Sequence, residues 1–201
     1  MKAIGLDGFA DKFAQSDDPW DTFSNRDEAV KRAAILHALG PGPVGRVLEL
    51  ASGNGSNSRA LAQRALRLDA TEGTAEGTRL TAAAIRDYAG ARAIMLPLPG
   101  RLPRTRYDAV IVAELLYYLS SADMARVAKD VAAALRPCGR LVLAHHAIDF
   151  YDFAQHASGI QERFLHLAGG GWRIRRVRSC RRWQVIVATA LPRSQEPAAD
   201  R

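Results

Sequence analysis

The chain has 201 residues, 48% of them hydrophobic, which suits one globular domain with a substantial core. No apolar run reaches the ~18 residues of a membrane helix, and the first residues lack a secretory signal, so we expect a cytoplasmic protein without a membrane partner. The net charge of +7 permits an acidic partner, but no basic helix interleaved with aromatic residues occurs, so nucleic acid is not the expected partner. Cys138 and Cys180 lie in different turn regions and predict no disulfide framework.

Helix-like and strand-like segments alternate along the chain. A capping-box-like start at residues 24–27 begins a helix that residues 40–43 end. Strands are then predicted at residues 44–50, 66–71, 92–95, 108–113 and 141–144, separated by helices at 56–64, 78–88 and 121–135, the last capped by Ser121 and ended by a break at 136–139. Two further strands, 172–177 and 183–188, are close enough in sequence to form an antiparallel hairpin.

This alternation predicts an α/β fold with a seven-stranded, mostly parallel sheet, a C-terminal antiparallel hairpin and helices on both faces. We expect one domain over residues 1–201, without an internal repeat. Within it, residues 1–43 are expected to form an N-terminal helical lid segment. The polar residues 191–201 are expected to be a disordered tail.

A glycine-containing turn at residues 53–55 follows the first strand. Glycine lets the backbone approach a ligand at the carboxyl edge of a sheet, although any tight strand-to-helix turn also favours it. Glu72 stands at the end of the second strand, where a carboxylate can accept hydrogen bonds from the ribose hydroxyls of a nucleoside. Asp69 is the alternative acid, but it falls inside the strand, whereas residues 73–74 after Glu72 can turn over a ligand.

The fourth strand opens into a polar and aromatic loop that begins at Glu114. The carboxyl ends of strands one, two and four meet where the strand order reverses, which is where ligands bind in such sheets. An NAD-dependent oxidoreductase is one alternative. Its glycine fingerprint would require a third glycine at the position of Ser58, and its fold would not favour a C-terminal hairpin.

With these elements in this order, the chain resembles the class I S-adenosylmethionine (SAM)-dependent methyltransferases, and more narrowly the NodS family of N-methyltransferases. The narrower resemblance rests on residues 18–20 before the first helix, Lys31 within it, residues 114–119 after strand four and residues 144–146 after strand five. The general resemblance extends to Ala190. Many members carry glycine at the position of Ala51, where a small residue remains.

The resemblance implies a Rossmann-like class I methyltransferase fold, SAM as cofactor and S-adenosylhomocysteine as product. It also implies a small-molecule acceptor. NodS proteins methylate the free amine of a deacetylated chitooligosaccharide, so it implies N-methylation of an amino sugar or oligosaccharide. The alternatives are an RNA methyltransferase, another small-molecule O-methyltransferase, the oxidoreductase, and a non-catalytic protein that keeps the fold.

The predicted cofactor-binding residues follow from these motif positions: Trp20, Lys31, Glu49, Ala51, Gly53, Asn54, Gly55, Glu72, Gly73, Thr74, Leu96, Ala113, Glu114 and Leu115. An amine acceptor must be neutral or lose a proton, so four residues are candidate catalytic proton acceptors: His145, His146, Glu114 and Tyr117. Histidine suits this role best. For each candidate, packing or cofactor binding without acid–base work is an open alternative. No metal site is predicted.

Overall fold

Helices and strands alternate along residues 3–191, the part of the chain that the computed structural model describes. The helices are α1 Leu6–Gln15, α2 Arg26–Ala38, α3 Ser56–Ala62, α4 Ala75–Ile85, α5 Ser121–Ala134 and α6 Ile160–Ala168. The strands are β1 Val44–Leu50, β2 Ala65–Glu72, β3 Ala91–Met95, β4 Tyr107–Ala113, β5 Leu135–His146, β6 Trp172–Ser179 and β7 Trp183–Ala190. The polar tail predicted beyond Leu191 lies outside the described residues.

The seven strands form one sheet in the order β3-β2-β1-β4-β5-β7-β6. Neighbours among β1 to β5 are parallel, and β7 runs antiparallel between β5 and β6. This confirms the predicted sheet with its C-terminal hairpin. The chain leaves β3 at one edge and returns as β4 on the other side of β1, so the strand order reverses between β1 and β4 and leaves a crevice at their carboxyl ends.

Alternate side chains of the buried strands pack on opposite faces of the sheet. Leu48 and Leu50 join a cluster with residues of α5 and α6, whereas Val47 joins a cluster with residues of α2 and α3. Both faces are therefore covered by helices, as predicted. Ile35 and Leu39 are fully buried in the second cluster, so α2 is an integral layer of the fold. This helix belongs to the predicted lid segment of residues 1–43, and that role remains a prediction.

Helix α6 was not predicted, and α1 lies within the predicted helical segment of residues 1–43, for which no separate helix bounds were given. The N-cap of α5 is Ser120 instead of the predicted Ser121, since the Ser120 hydroxyl accepts a hydrogen bond from the Asp123 backbone N–H. The predicted break at residues 136–139 is a bulge inside β5. Leu135 already pairs with β4, and regular pairing resumes at Arg140. A glycine–proline pattern thus marked an irregular strand, not a loop.

The helices within residues 3–191 include none that is long and apolar enough to cross a membrane. Cys138 and Cys180 are exposed free thiols.

Candidate active site

A cavity of about 620 Å³ opens at the carboxyl edge of the sheet, beside the glycine turn. Its volume falls within the range of roughly 300–1,000 Å³ that is typical of small-molecule sites. Residues that follow β1, β2, β3 and β4 line it, together with α1, the segment around Trp20 and the loop after β5. The cavity therefore occupies the crevice that the strand order creates.

Most of the predicted site residues line this cavity. They are Trp20, Lys31, Ala51, Gly53, Asn54, Glu72, Gly73, Leu96, Ala113, Glu114, Leu115, Tyr117 and His146. Four predicted residues do not line it, namely Glu49, Gly55, Thr74 and His145. The motif positions thus lead to one place in the fold, but a motif position does not by itself give a side chain access to the cavity.

The three cofactor-binding candidates that do not line the cavity support the residues and turns that do. Glu49 is buried and accepts a hydrogen bond from the Ser58 hydroxyl. Thr74 caps α4 and donates its hydroxyl proton to Glu72. Gly55 precedes α3 with φ of 82°, and a Cβ there would lie 2.8 Å from the Ala84 Cβ, so the turn requires glycine. Their assignment as direct cofactor ligands is therefore corrected to a supporting role.

Glu72 ends β2 with its carboxylate at the cavity wall, although only 7% of the residue is exposed. It accepts hydrogen bonds from the Gly53 N–H at 3.0 Å and the Thr74 N–H at 3.1 Å. Burial raises the pKa of the Glu72 carboxyl, and the hydrogen bonds from Gly53 and Thr74 oppose that effect. The glycine turn and the acid of β2 are thus one hydrogen-bonded unit.

Asp69, the alternative acid, faces a different environment. It accepts a hydrogen bond from the Tyr107 hydroxyl at 2.7 Å and forms an ion pair with Arg92. It does not line the cavity. The structure therefore places only Glu72 of the two acids where a ligand could contact it.

His145 is a structural residue. It is fully buried, the Leu116 N–H donates to its Nε2 at 3.4 Å, and the Gln161 amide lies 3.3 Å from its Nδ1. Burial lowers the pKa of His145 to about 3, with a further contribution from nearby Lys31. Because it neither reaches the cavity nor remains basic, its assignment as a proton acceptor is wrong.

His146 and Glu114 meet at the cavity wall. The Nε2 of His146 lies 3.8 Å from Oε2 of Glu114, and its Nδ1 lies 3.2 Å from the Arg182 carbonyl oxygen. A carbonyl only accepts hydrogen bonds, so we assign the proton of the neutral ring to Nδ1 and a lone pair to Nε2. Glu114 has φ of 50°, a conformation that few side chains adopt and that often marks functional sites.

Lys31 is the cationic partner of this wall. Only 2% of it is exposed, and its ammonium contacts the carboxylates of Glu28 and Glu114. Burial disfavours the ammonium, but the two carboxylates outweigh burial and raise the pKa of Lys31. Lys31 therefore remains charged and holds Glu114 against the cavity.

Aromatic side chains form the rest of the wall near Glu114. Tyr117 is buried with its ring stacked on Phe153 at 3.7 Å between centroids, so it acts as packing. Tyr118 packs edge-on against Phe153 and against Phe9 of α1. Burial raises the pKa of the Tyr118 hydroxyl, and the carboxylates of Asp152 and Glu114 raise it further. Tyr118 thus presents a neutral phenol.

The sequence did not predict that side chains of α1 line the cavity. Phe9 and Phe13 are four residues apart, which places them on one face of a helix, and this spacing was the available signal. Both rings pack against Trp20, with centroid distances of 6.0 and 5.5 Å. Trp20 is still 39% exposed, so it is anchored on one side and faces the cavity mouth.

A family model described as a methyltransferase domain matches residues 48–143. The match runs from β1 into β5 and includes the glycine turn, Glu72 and Glu114. It gives no support to an NAD-dependent oxidoreductase. No curated protein matches the chain by sequence.

Solved methyltransferase structures share the fold. N-methyltransferase NodS from Bradyrhizobium japonicum WM9, in complex with S-adenosylhomocysteine, aligns with a TM-score of 0.78 at 19% identity over 92% of this chain and 97% of that chain. DhpI in complex with S-adenosylhomocysteine gives 0.74 at 22% identity over 94% and 96%. A SAM-dependent methyltransferase from Aquifex aeolicus gives 0.68 at 16% identity over 90% and 98%. The Rossmann-like class I methyltransferase fold is therefore confirmed.

Proposed function

Because the chain is an enzyme that transfers methyl groups and solved structures of the same fold hold SAM or its product S-adenosylhomocysteine, we propose that its acceptor is an amine nitrogen, in the first instance that of an amino sugar or an oligosaccharide. One observation carries the proposal. The part of the cavity around Glu114 combines carboxylates with aromatic walls, which is the chemistry that suits an amine cation. The structural similarity to NodS is consistent with this acceptor class.

The residues at the other part of the cavity fit the cofactor. Glu72 offers a fixed carboxylate for ribose hydroxyls, and the turn beside it, with positive φ at Ala51 and Gly53, brings backbone rather than side chains to the wall. Leu96 and Leu98 after β3 add apolar surface suited to an adenine ring. When bound, SAM supplies a methyl group on a sulfonium, so no covalent enzyme nucleophile is required.

Replacement of Glu72 by alanine is expected to weaken S-adenosylhomocysteine binding roughly tenfold to a hundredfold, because a hydrogen bond to a charged group contributes about 1.5–3 kcal/mol. Titration calorimetry measures this. Asp69→Asn is the matched control, since Asp69 is also a buried acid of β2 but contacts Tyr107 and Arg92 instead of the cavity. It should lower stability and leave the dissociation constant within about threefold. Equal losses would contradict the assignment of Glu72.

The acceptor part of the cavity has the features that an amino sugar requires. Glu114 and Asp152 are carboxylates that can hold an ammonium, and Tyr118 adds a hydroxyl. Phe150 and Tyr151, 39% and 68% exposed, stand at the cavity mouth. Exposed aromatic faces pack well against the C–H groups of sugar rings. The proposed acceptor therefore places its amine by Glu114 and its sugar rings along the mouth.

The proposed role of His146 is to take the proton that the amine must lose. His146 lines the cavity with its Nε2 beside Glu114, and this carboxylate stabilises the imidazolium that forms once the proton has moved. The ion pair with Lys31 keeps that carboxylate in place. The aromatic wall and Trp20 exclude water from the transfer.

The test is methyl transfer from labelled SAM to a panel of amines, deacetylated chitooligosaccharides, small-molecule alcohols and RNA. We expect incorporation into free amino sugars, with mass spectrometry locating the methyl group on nitrogen. The fully N-acetylated oligosaccharide of the same length is the matched control, because it has the same rings but no free amine, and it should remain unmethylated. Methylation of RNA or of hydroxyl groups in preference to every amine would overturn the proposal.

A further inference from the structure

The side chain of Asn54, in the middle of the glycine turn, is fully engaged by the N-terminal segment. Its Nδ2 lies 2.8 Å from Oδ1 of Asp18, 2.9 Å from the Thr22 hydroxyl oxygen and 3.3 Å from the Asp17 carbonyl oxygen, so its two protons are shared among acceptors of this segment. Its Oδ1 accepts from the Ser56 N–H at 3.2 Å. Only 6% of Asn54 is exposed. Because the donors and the acceptor of this amide are occupied by protein groups, its hydrogen bonds stabilise the protein and are not free for a ligand.

Asp18 gives the segment its shape. Its carboxylate accepts hydrogen bonds from the backbone N–H groups of Thr22 at 2.7 Å and Phe23 at 3.0 Å, which closes a turn over residues 18–23. Trp20 stands within this turn. Asn54 therefore fixes the Asp18 carboxylate by a hydrogen bond, and this carboxylate in turn fixes the turn that contains Trp20.

The same glycine turn also contacts the cofactor side of the cavity. Gly53 donates its N–H to Glu72, and Asn54, the next residue, donates to Asp18. Gly53 thus contacts Glu72, the acid at the cofactor side of the cavity, and its neighbour Asn54 contacts the N-terminal segment that covers the cavity. The two contacts come from adjacent residues of one short turn, so a displacement of this turn affects both the bond to Glu72 and the bond to Asp18.

We propose that Asn54 is a positioning residue that couples occupancy of the SAM site to the closed arrangement of residues 17–23, and so to the placement of Trp20 over the cavity. This differs from the direct cofactor contact predicted from the motif. It is independent of which acceptor the enzyme methylates, because it concerns the turn, the segment and the cofactor alone.

Hydrogen exchange of the Thr22 and Phe23 amides, followed with and without S-adenosylhomocysteine, tests the coupling. In the unmodified chain we expect the ligand to slow exchange in residues 17–23 by roughly tenfold, as the loss or gain of one net hydrogen bond would. Asn54→Ala should abolish this ligand dependence while hydrogen exchange in β1 and β4 remains unchanged. Ser52→Ala is the matched control: Ser52 is a buried polar residue of the same turn, but bonds Thr81 and not the segment, so the ligand dependence should persist.

A double-mutant cycle separates coupling from direct binding. If Asn54 acts through Asp18, the double variant N54A/D18A should weaken the binding of S-adenosylhomocysteine no more than D18A alone does. Additive losses would show that Asn54 contacts the cofactor independently and would overturn the proposal. Retention of ligand-dependent protection in Asn54→Ala, or its loss in Ser52→Ala, would overturn it as well.

Discussion

Replacement of His146 by alanine is expected to lower kcat with an amino-sugar acceptor by about 10²–10⁴-fold, the usual contribution of a general base. The affinity for S-adenosylhomocysteine should stay within about threefold, because the ring lies by Glu114 and not by Glu72. Added imidazole should restore part of the activity, since the shortened side chain leaves space at the cavity wall. The defect should shrink as pH rises and more of the acceptor amine arrives neutral.

The matched control for this prediction is His37→Gln, which changes an exposed histidine near the end of α2 and should leave kcat unchanged. Steady-state kinetics over a range of pH, with mass spectrometry of the product, make the measurement. A His146→Ala enzyme that keeps more than about a third of its kcat would remove His146 from the mechanism, and Glu114 would then be the next candidate to replace.

Glu49 makes stability depend on pH in an unusual direction. Burial raises its pKa from 4.5 to about 8, while the hydrogen bond from Ser58 opposes the change. The folded state therefore favours the protonated carboxyl. Its contribution is fully present below pH 4.5 and is lost as pH rises through 8, so the chain should lose about 3 kcal/mol of stability from this group between pH 5 and pH 8.

Glu49→Gln isolates that contribution, because glutamine keeps the shape and an acceptor for Ser58 but does not ionise. We expect the variant to be more stable than the unmodified chain at pH 8, with the difference shrinking toward pH 5, as measured by urea unfolding. The quantity to compare at each pH is the difference in free energy of unfolding between the variant and the unmodified chain. This difference cancels the contribution of His145, whose lowered pKa makes the stability of both proteins fall as pH falls below 6.5. Glu162→Gln, at an exposed acid, should follow the unmodified chain. A constant difference at every pH would contradict the prediction.

Local patterns in the sequence predicted most of the sheet. The run at residues 108–113 matches β4 because buried parallel strands favour consecutive apolar residues, and the short gap between the last two strands predicted their hairpin. The bounds of α1 and the whole of α6 were not predicted because neither helix has a conventional side-chain cap, each being preceded by a glycine. Their helical conformation is favoured by packing against the rest of the fold, which sequence spacing shows only weakly.

The sequence by itself determined the order of the elements, the glycine turn and the position of Glu72, since each follows from spacing along one strand or turn. Only the tertiary structure decided between adjacent residues, as with His145 and His146. Side chains alternate across a strand, so one of the two points into the core and the other reaches the cavity, and which one does so depends on the helix packed behind β5. Tertiary structure likewise assigned Asn54 to Asp18, a partner 36 residues away, because a hydrogen bond between distant segments leaves no periodic trace in the sequence.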